Sequence, residues 1–414
     1  MEIFDSFPDI EEPELASKFV HSYLASKHEE SLKPSLELFI TGLSVDSSLH
    51  GKLKTIHKTR DVEALERFCV HFQRNSWRYD VQLESVNEVI HRIETAEKIF
   101  KVVRGELNHP AWTPRTDSSN ADITSHIRNL ELTVGINRDV PLLILFRLGS
   151  FQDDPILRAR LGRIFSPLNH TFLLNTSGSG KTRLLFEGLC LHWGFYFTCG
   201  LDSSGLGSED FSSAIDNVKR SRKWSNVILT SADVDYTSSL QNNRQIAYRS
   251  FSEALLARLL VFKTYLEACS QEGFCHKQRQ RWLESQILPV LPFNDDPFSM
   301  INELDYDDLD DSVLDKAIEN TLEDIQNIWE MPSGEFFYIV LDEANVASRM
   351  HDLAFADEYG HYPILKEIIR TLRKRMGHLP VKFVVAGTII PQEHFQSAVG
   401  EWDDFRWCSD TGFL

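Results

Sequence analysis

The segment Asn175-Thr176-Ser177-Gly178-Ser179-Gly180-Lys181-Thr182 sets two glycines, a lysine and a hydroxyl directly after the apolar run 171–174. Glycines let consecutive backbone N–H groups turn toward an anion. A helix starting at the lysine adds the positive end of its dipole, and the ammonium reaches the outer phosphates. The chemistry of that combination is binding of a nucleoside triphosphate. Thr176, Ser177, Gly178, Ser179, Gly180, Lys181, Thr182 and Arg183 are the candidates for holding it, with Lys181 as the phosphate clamp. The Thr182 hydroxyl, on the first helical turn, is placed to ligate Mg2+. In the pattern G-x-x-x-x-G-K-[ST] the first glycine is replaced by Asn175, a residue type that tolerates positive φ, so it reads as a permitted variant.

A second constellation lies far downstream. Asp342-Glu343 follows the apolar run 336–341, at the carboxyl edge of a buried strand, where ligands collect in open α/β sheets. Asp342 is expected to hold Mg2+ with Thr182, and Glu343 to polarise the water attacking the γ-phosphate. The run 381–386 ends at Gly387-Thr388, and the Thr388 hydroxyl is the candidate for contacting the γ-phosphate or that water. Arg370, Arg373, Lys374 and Arg375 lie opposite the apolar face of a helix over 363–376. They read as a solvated face, with an arginine finger to a neighbouring subunit as the alternative. No Asn-Lys-x-Asp occurs, so adenine is the base expected.

Buried strands must position these residues. Apolar runs at 171–174, 194–199, 336–341 and 381–386, with the 363–376 helix between the last two, predict parallel strands in βαβ connection. A helix over 155–165 leads into the first. The expected fold is α/β: a P-loop NTPase parallel sheet flanked by helices over 151–414, with a large helical insertion at about 208–330. An α-helical N-terminal domain is expected over 1–150, from apolar spacing at Leu15, Phe19, Val20, Tyr23, Val86, Val89, Ile90, Ile93 and Ile99. Pro110 and Pro114 mark a loop at its end. No fifth strand is evident after Thr388, so the C-terminus reads as incomplete.

A chain of 414 residues with 42% hydrophobic content predicts two or three domains. Its net charge of −18 argues against a protein that coats nucleic acid, and residues 295–330 hold 13 acids against the single base Lys316. The acidic run 305–311 lacks the glycine of a calcium loop and reads as solvated or as a surface for a basic partner. Basic runs at 219–224 and 276–282 read as exposed helix faces, with nucleic-acid contact the weaker alternative. Six scattered cysteines and no long apolar stretch predict a reducing compartment, cytoplasmic or nuclear, and no membrane.

The block 175–199, the strand through Asp342-Glu343 and the tip Ala386-Gly387-Thr388 resemble the P-loop ATPase module of Crinkler and retrotransposon-hot-spot proteins. That module belongs with AAA+ and STAND proteins among ATPases carrying a catalytic glutamate, and the resemblance covers residues 150–414. It implies ATP and Mg2+ as ligands and a nucleotide-driven switch or assembly module, with a homo-oligomer or protein partner through the N-terminal domain. The family's effector domain and N-terminal translocation motif are not visible in this sequence. A non-hydrolysing nucleotide-binding module is the alternative. A P-loop phosphotransferase is a weaker one, because Glu343 reads as placed for water.

Overall fold

Five segments pair into one sheet: β1 (His170–Leu174), β2 (Gly194–Thr198), β3 (Phe337–Asp342), β6 (Val381–Gly387) and β7 (Phe405–Cys408). Two short strands, β4 (Ala356–Asp357) and β5 (Gly360–His361), form a separate antiparallel hairpin. The structure, a computed structural model, describes residues 2–27, 36, 39–40, 43, 47–69, 72, 95–107, 109–113, 121–135, 140–201, 205–228, 236–293, 296–302, 311–329, 331–390 and 405–412.

The sheet order is β2-β3-β6-β1-β7, and every pair is parallel. The chain leaves β1, crosses to the far edge, and returns strand by strand, so β6 lies between β1 and β3. Its register sets Leu174 opposite Gly387 and Leu341 opposite Val385, which brings three strand tips level. The sheet contradicts one expectation: a fifth strand exists. Phe405–Cys408 is short, alternates polar with apolar residues and sits at an edge, so it lacks the continuous apolar run of a strand buried on both faces.

Alternate residues of each strand feed opposite cores. Leu173, Tyr196, Tyr338, Val340, Val384 and Ala386 pack with Leu184, Leu185 and Leu189 of the helix Lys181–Leu191 and with Leu283 and Ile287 of the helix His276–Ile287. On the other face Phe195 and Phe337 meet Phe262 of the long helix Tyr236–Glu272, and Phe197 meets Phe211 of the helix Asp210–Asn217. Each fully buried aromatic or aliphatic side chain contributes about 1.5–3 kcal/mol.

The described helices within 208–302 and 314–329 belong to the same compact unit as the sheet. The helix His276–Ile287 closes the β2 edge. Gln286 Oε1 accepts the Tyr196 N–H at 2.9 Å, its Nε2 donates to the Gly194 carbonyl at 3.2 Å, and Trp282 Nε1 donates to that same carbonyl at 2.9 Å. A side-chain amide thus replaces a neighbouring strand and protects the edge from pairing with another chain. The basic run 276–282 is accordingly no exposed face. Gln278 and Trp282 are buried, and Arg279 donates to the Leu191 carbonyl.

Two compact units divide the chain: Met1–Ile93 with Tyr306–Val313, and Glu94–Asp305 with Leu314–Leu414. This division falls at residues 93–94, whereas the sequence predicts a domain boundary near residue 150. The helix Thr95–Arg104 belongs to the second unit, where Lys98 donates to the Phe293 carbonyl at 2.9 Å. Among its described residues the first unit is largely helical, with Phe19, Val20, Tyr23, Leu53, Phe68 and Phe72 in its core, but Leu15 is exposed. Val86, Val89, Ile90, Ile93 and residues 305–310 of the acidic run lie outside the described residues, while Asp311 opens the helix Asp311–Ile328. Among the described residues, no helix is long and apolar enough to cross a membrane.

Candidate functional site

β1 is buried along its whole length and opens into the turn 175–180, which meets the helix Lys181–Leu191. Gly178 at φ 75° and Gly180 at φ 82° occupy the left-handed region, which a side chain would strain. Gly180 is the helix N-cap, so the N–H groups of Lys181, Thr182 and Arg183 have no intrahelical acceptor. Together they form a concentrated donor array at the positive helix end. The buried Ser179 hydroxyl has no hydrogen-bond partner among the described residues, an orphaned donor within the same turn.

Lys181 is buried, and its ammonium donates to the Asn175 and Thr176 carbonyls, both at 2.8 Å. Burial holds its pKa below the ordinary lysine value, while the Asp342 and Glu343 carboxylates act in the opposite sense. Thr176 spends its own N–H on the Asn175 side-chain oxygen at 2.7 Å. Asn175 itself stays outside the left-handed region, so tolerance of positive φ is not why it fits.

The distant acid meets this loop directly. Thr182 Oγ1 donates to Asp342 Oδ2 at 2.9 Å across 160 residues. The Tyr196 hydroxyl donates to the same oxygen at 3.0 Å, and the Glu343 N–H to Asp342 Oδ1 at 2.9 Å. Burial pushes the Asp342 carboxyl up to about 6, and those three donors only partly offset it. Thr182 and Asp342 are adjacent oxygen donors of the kind a hard cation takes. Among the described residues no group of three or more His, Cys, Asp or Glu could hold a metal. One carboxylate and one hydroxyl suit Mg2+ held jointly with phosphate oxygens.

Glu343 stands at φ 50°, ψ 32°, an uncommon conformation for a residue with a side chain, and heads the single helical turn Ala344–Ala347. Its carboxylate makes no hydrogen bond among the described residues, unlike that of its neighbour Asp342. Thr388 sits at the β6 tip, and its N–H is bound by Asn345 Oδ1 at 3.1 Å.

Other candidates lie elsewhere. The Arg183 guanidinium donates to the carbonyls of Ile144, Phe146 and Arg147 and to Glu187, so its side chain braces the segment before β1 and only its N–H faces the turn. Arg375 is buried, donating to Ser252 Oγ at 2.8 Å and paired with Asp315; Arg370 is paired with Glu367. The solvated face expected for that helix is therefore in part an internal one.

The residues missed in the sequence are Tyr196, Asn345 and the Ser409–Thr411 segment that receives Asn175. Asn345 carried a faint signal, a polar amide two residues beyond the acid pair. Tyr196, inside an aromatic strand, carried none. Compared with protein-family models, curated proteins and solved structures, the chain gives no match.

Proposed function

We propose that the second unit is a P-loop NTPase that binds ATP with Mg2+ and hydrolyses it, acting in the cytoplasm as a nucleotide-driven switch or assembly module of the Crinkler and retrotransposon-hot-spot kind. The observation that carries the reading is the Thr182–Asp342 hydrogen bond, which joins the glycine turn to the acid pair. The N–H groups of Lys181, Thr182 and Arg183 at the helix head, with the Lys181 ammonium, would hold the phosphates. Thr182 and Asp342 would hold Mg2+, which when bound supplies positive charge against the phosphate oxygens.

Glu343 takes a proton from the attacking water. The water oxygen bonds to the γ-phosphorus as the bridge to the β-phosphate breaks, and ADP leaves with the electron pair. Thr388 at the neighbouring tip orients the water or the γ-phosphate. A bare carboxylate held in a strained backbone conformation is what supports this role for Glu343.

A second reading, nucleotide binding without turnover, draws support from Lys181 and Thr176, whose donors are engaged within the turn itself. Phosphate release and ATP binding by the wild type and Glu343→Gln decide between them. Hydrolysis predicts Mg2+-dependent release that falls by about 100-fold or more in Glu343→Gln while binding persists. Equal release by both removes Glu343 from the mechanism; tight binding without release by the wild type establishes the second reading.

A further inference from the structure

Asn345 joins the two strand tips that carry Glu343 and Thr388. The turn Ala344–Ala347 is pinned by Ala344 and Ala347, both fully buried, and by the Val346 N–H on the Glu343 carbonyl at 2.9 Å. Asn345 stands between those anchors, half-buried, and its Oδ1 accepts the Thr388 N–H at 3.1 Å. The approach is close enough to dictate the residue before Thr388. A Cβ on Gly387 would lie 3.0 Å from Asn345 Oδ1 and 3.1 Å from its backbone nitrogen. Gly387 in turn accepts the Asn175 N–H at 3.4 Å, so the β6 tip is held on one side by the glycine turn and on the other by Asn345.

We propose that Asn345 is a positioning residue that sets the spacing between the Glu343 carboxylate and the Thr388 hydroxyl, so that both address the same water and γ-phosphate. This rests on the hydrolase reading above. Asn345 touches neither water nor phosphate in this role; it acts through the turn that carries Glu343 and the N–H of Thr388. Two reacting groups on separate strands have no covalent constraint on their separation, and small displacements of such groups cost about 100-fold in rate. The carboxamide supplies that constraint beyond the end of the β3–β6 register, whose last pair is Leu341 opposite Val385.

The test is steady-state ATP hydrolysis by the full chain with three variants. Asn345→Ala removes the acceptor, and kcat is expected to fall about 10- to 100-fold with KM for ATP within about twofold of wild type. Gly387→Ala displaces the carboxamide from the opposite side and should reproduce the kcat loss. Asn345→Asp keeps an acceptor oxygen and should recover kcat to within about threefold of wild type. A merely structural role would lower stability without separating kcat from KM.

Wild-type kcat in Asn345→Ala or Gly387→Ala overturns the role of Asn345 and leaves the hydrolase reading intact. Absence of turnover in the wild type overturns that reading and the role with it. Should Asn345→Ala fail to fold, the contrast between Gly387→Ala and Asn345→Asp decides: equal kcat in the two overturns the proposal.

Discussion

The Asn175 carboxamide donates to the Thr411 hydroxyl at 2.8 Å, tying the first residue of the glycine turn to the chain just beyond β7, 236 positions away. Its second amide hydrogen reaches the Ser409 carbonyl at 2.8 Å, while its oxygen accepts the Thr176 N–H. Between these anchors Asp410 pairs with Arg160 and Arg163 of the helix Pro155–Ile164. The residue that departs from the glycine pattern is therefore a bolt between β1 and the C-terminal strand. A glycine could supply none of those three bonds.

Removing that bolt should loosen the C-terminal strand before anything else. Asn175→Ala forfeits three hydrogen bonds at a partly exposed position, a loss of about 1–3 kcal/mol. Amide exchange across 405–412 should accelerate in the variant while β2 and β3 keep their protection. Unchanged exchange there would mean that β7 is held by its pairing with β1 alone.

Asp342 makes stability fall as pH rises. A free Asp titrates near 3.9, whereas the buried carboxyl is pushed up to about 6, so across that interval the folded state keeps a proton that the unfolded state has released. The unfolded state binds fewer protons, and the folded state loses about 2–3 kcal/mol between pH 4 and pH 6. Asp342→Asn does not titrate. In urea denaturation without Mg2+ or nucleotide it should match the wild type near pH 4 and exceed it above pH 6, by about that amount. A stability difference independent of pH would show that the Asp342 carboxyl titrates in the folded protein as it does in the unfolded chain.

The sheet edge depends on a buried ion pair. Arg258 donates to both oxygens of Asp210 at 2.6 and 2.9 Å and to Gln286 Oε1 at 3.3 Å; both charged side chains are fully enclosed. The guanidinium also lies 4.0 Å from the Phe298 ring centroid. Arg258→Ala leaves Asp210 charged and buried without its partner, a cost of about 3–5 kcal/mol measurable by denaturant unfolding. Replacing both residues with apolar ones of similar volume should recover most of that loss. Gln286→Leu, which strips β2 of its edge partner but leaves the ion pair, should promote aggregation more than unfolding.

Much of the sheet was legible in order. The runs at 171–174, 194–199, 336–341 and 381–386 became β1, β2, β3 and β6 within a residue or so at either end, because strands buried on both faces must be continuously apolar. β7 was not legible. Trp407 is 47% exposed, and an edge strand of four residues leaves no run long enough to detect. Nor does local periodicity separate a solvated arginine from Arg375, whose enclosure depends on Ser252 and Asp315 of two other helices.

By itself the sequence determined the chemistry available: glycines where the backbone must turn left-handed, a lysine and hydroxyl at the head of a helix, and an acid pair at the end of a buried strand. Those are local properties, written in residue type and spacing. Only the tertiary structure decided which of them meet. The insertion of β6 between β1 and β3 set Thr182 against Asp342 and Asn345 against Thr388, and the pairing of β7 with β1 set Asn175 against Thr411. The physical reason is that strand order and register are settled by packing over the whole sheet, and contacts between strand tips far apart in sequence follow from that order alone.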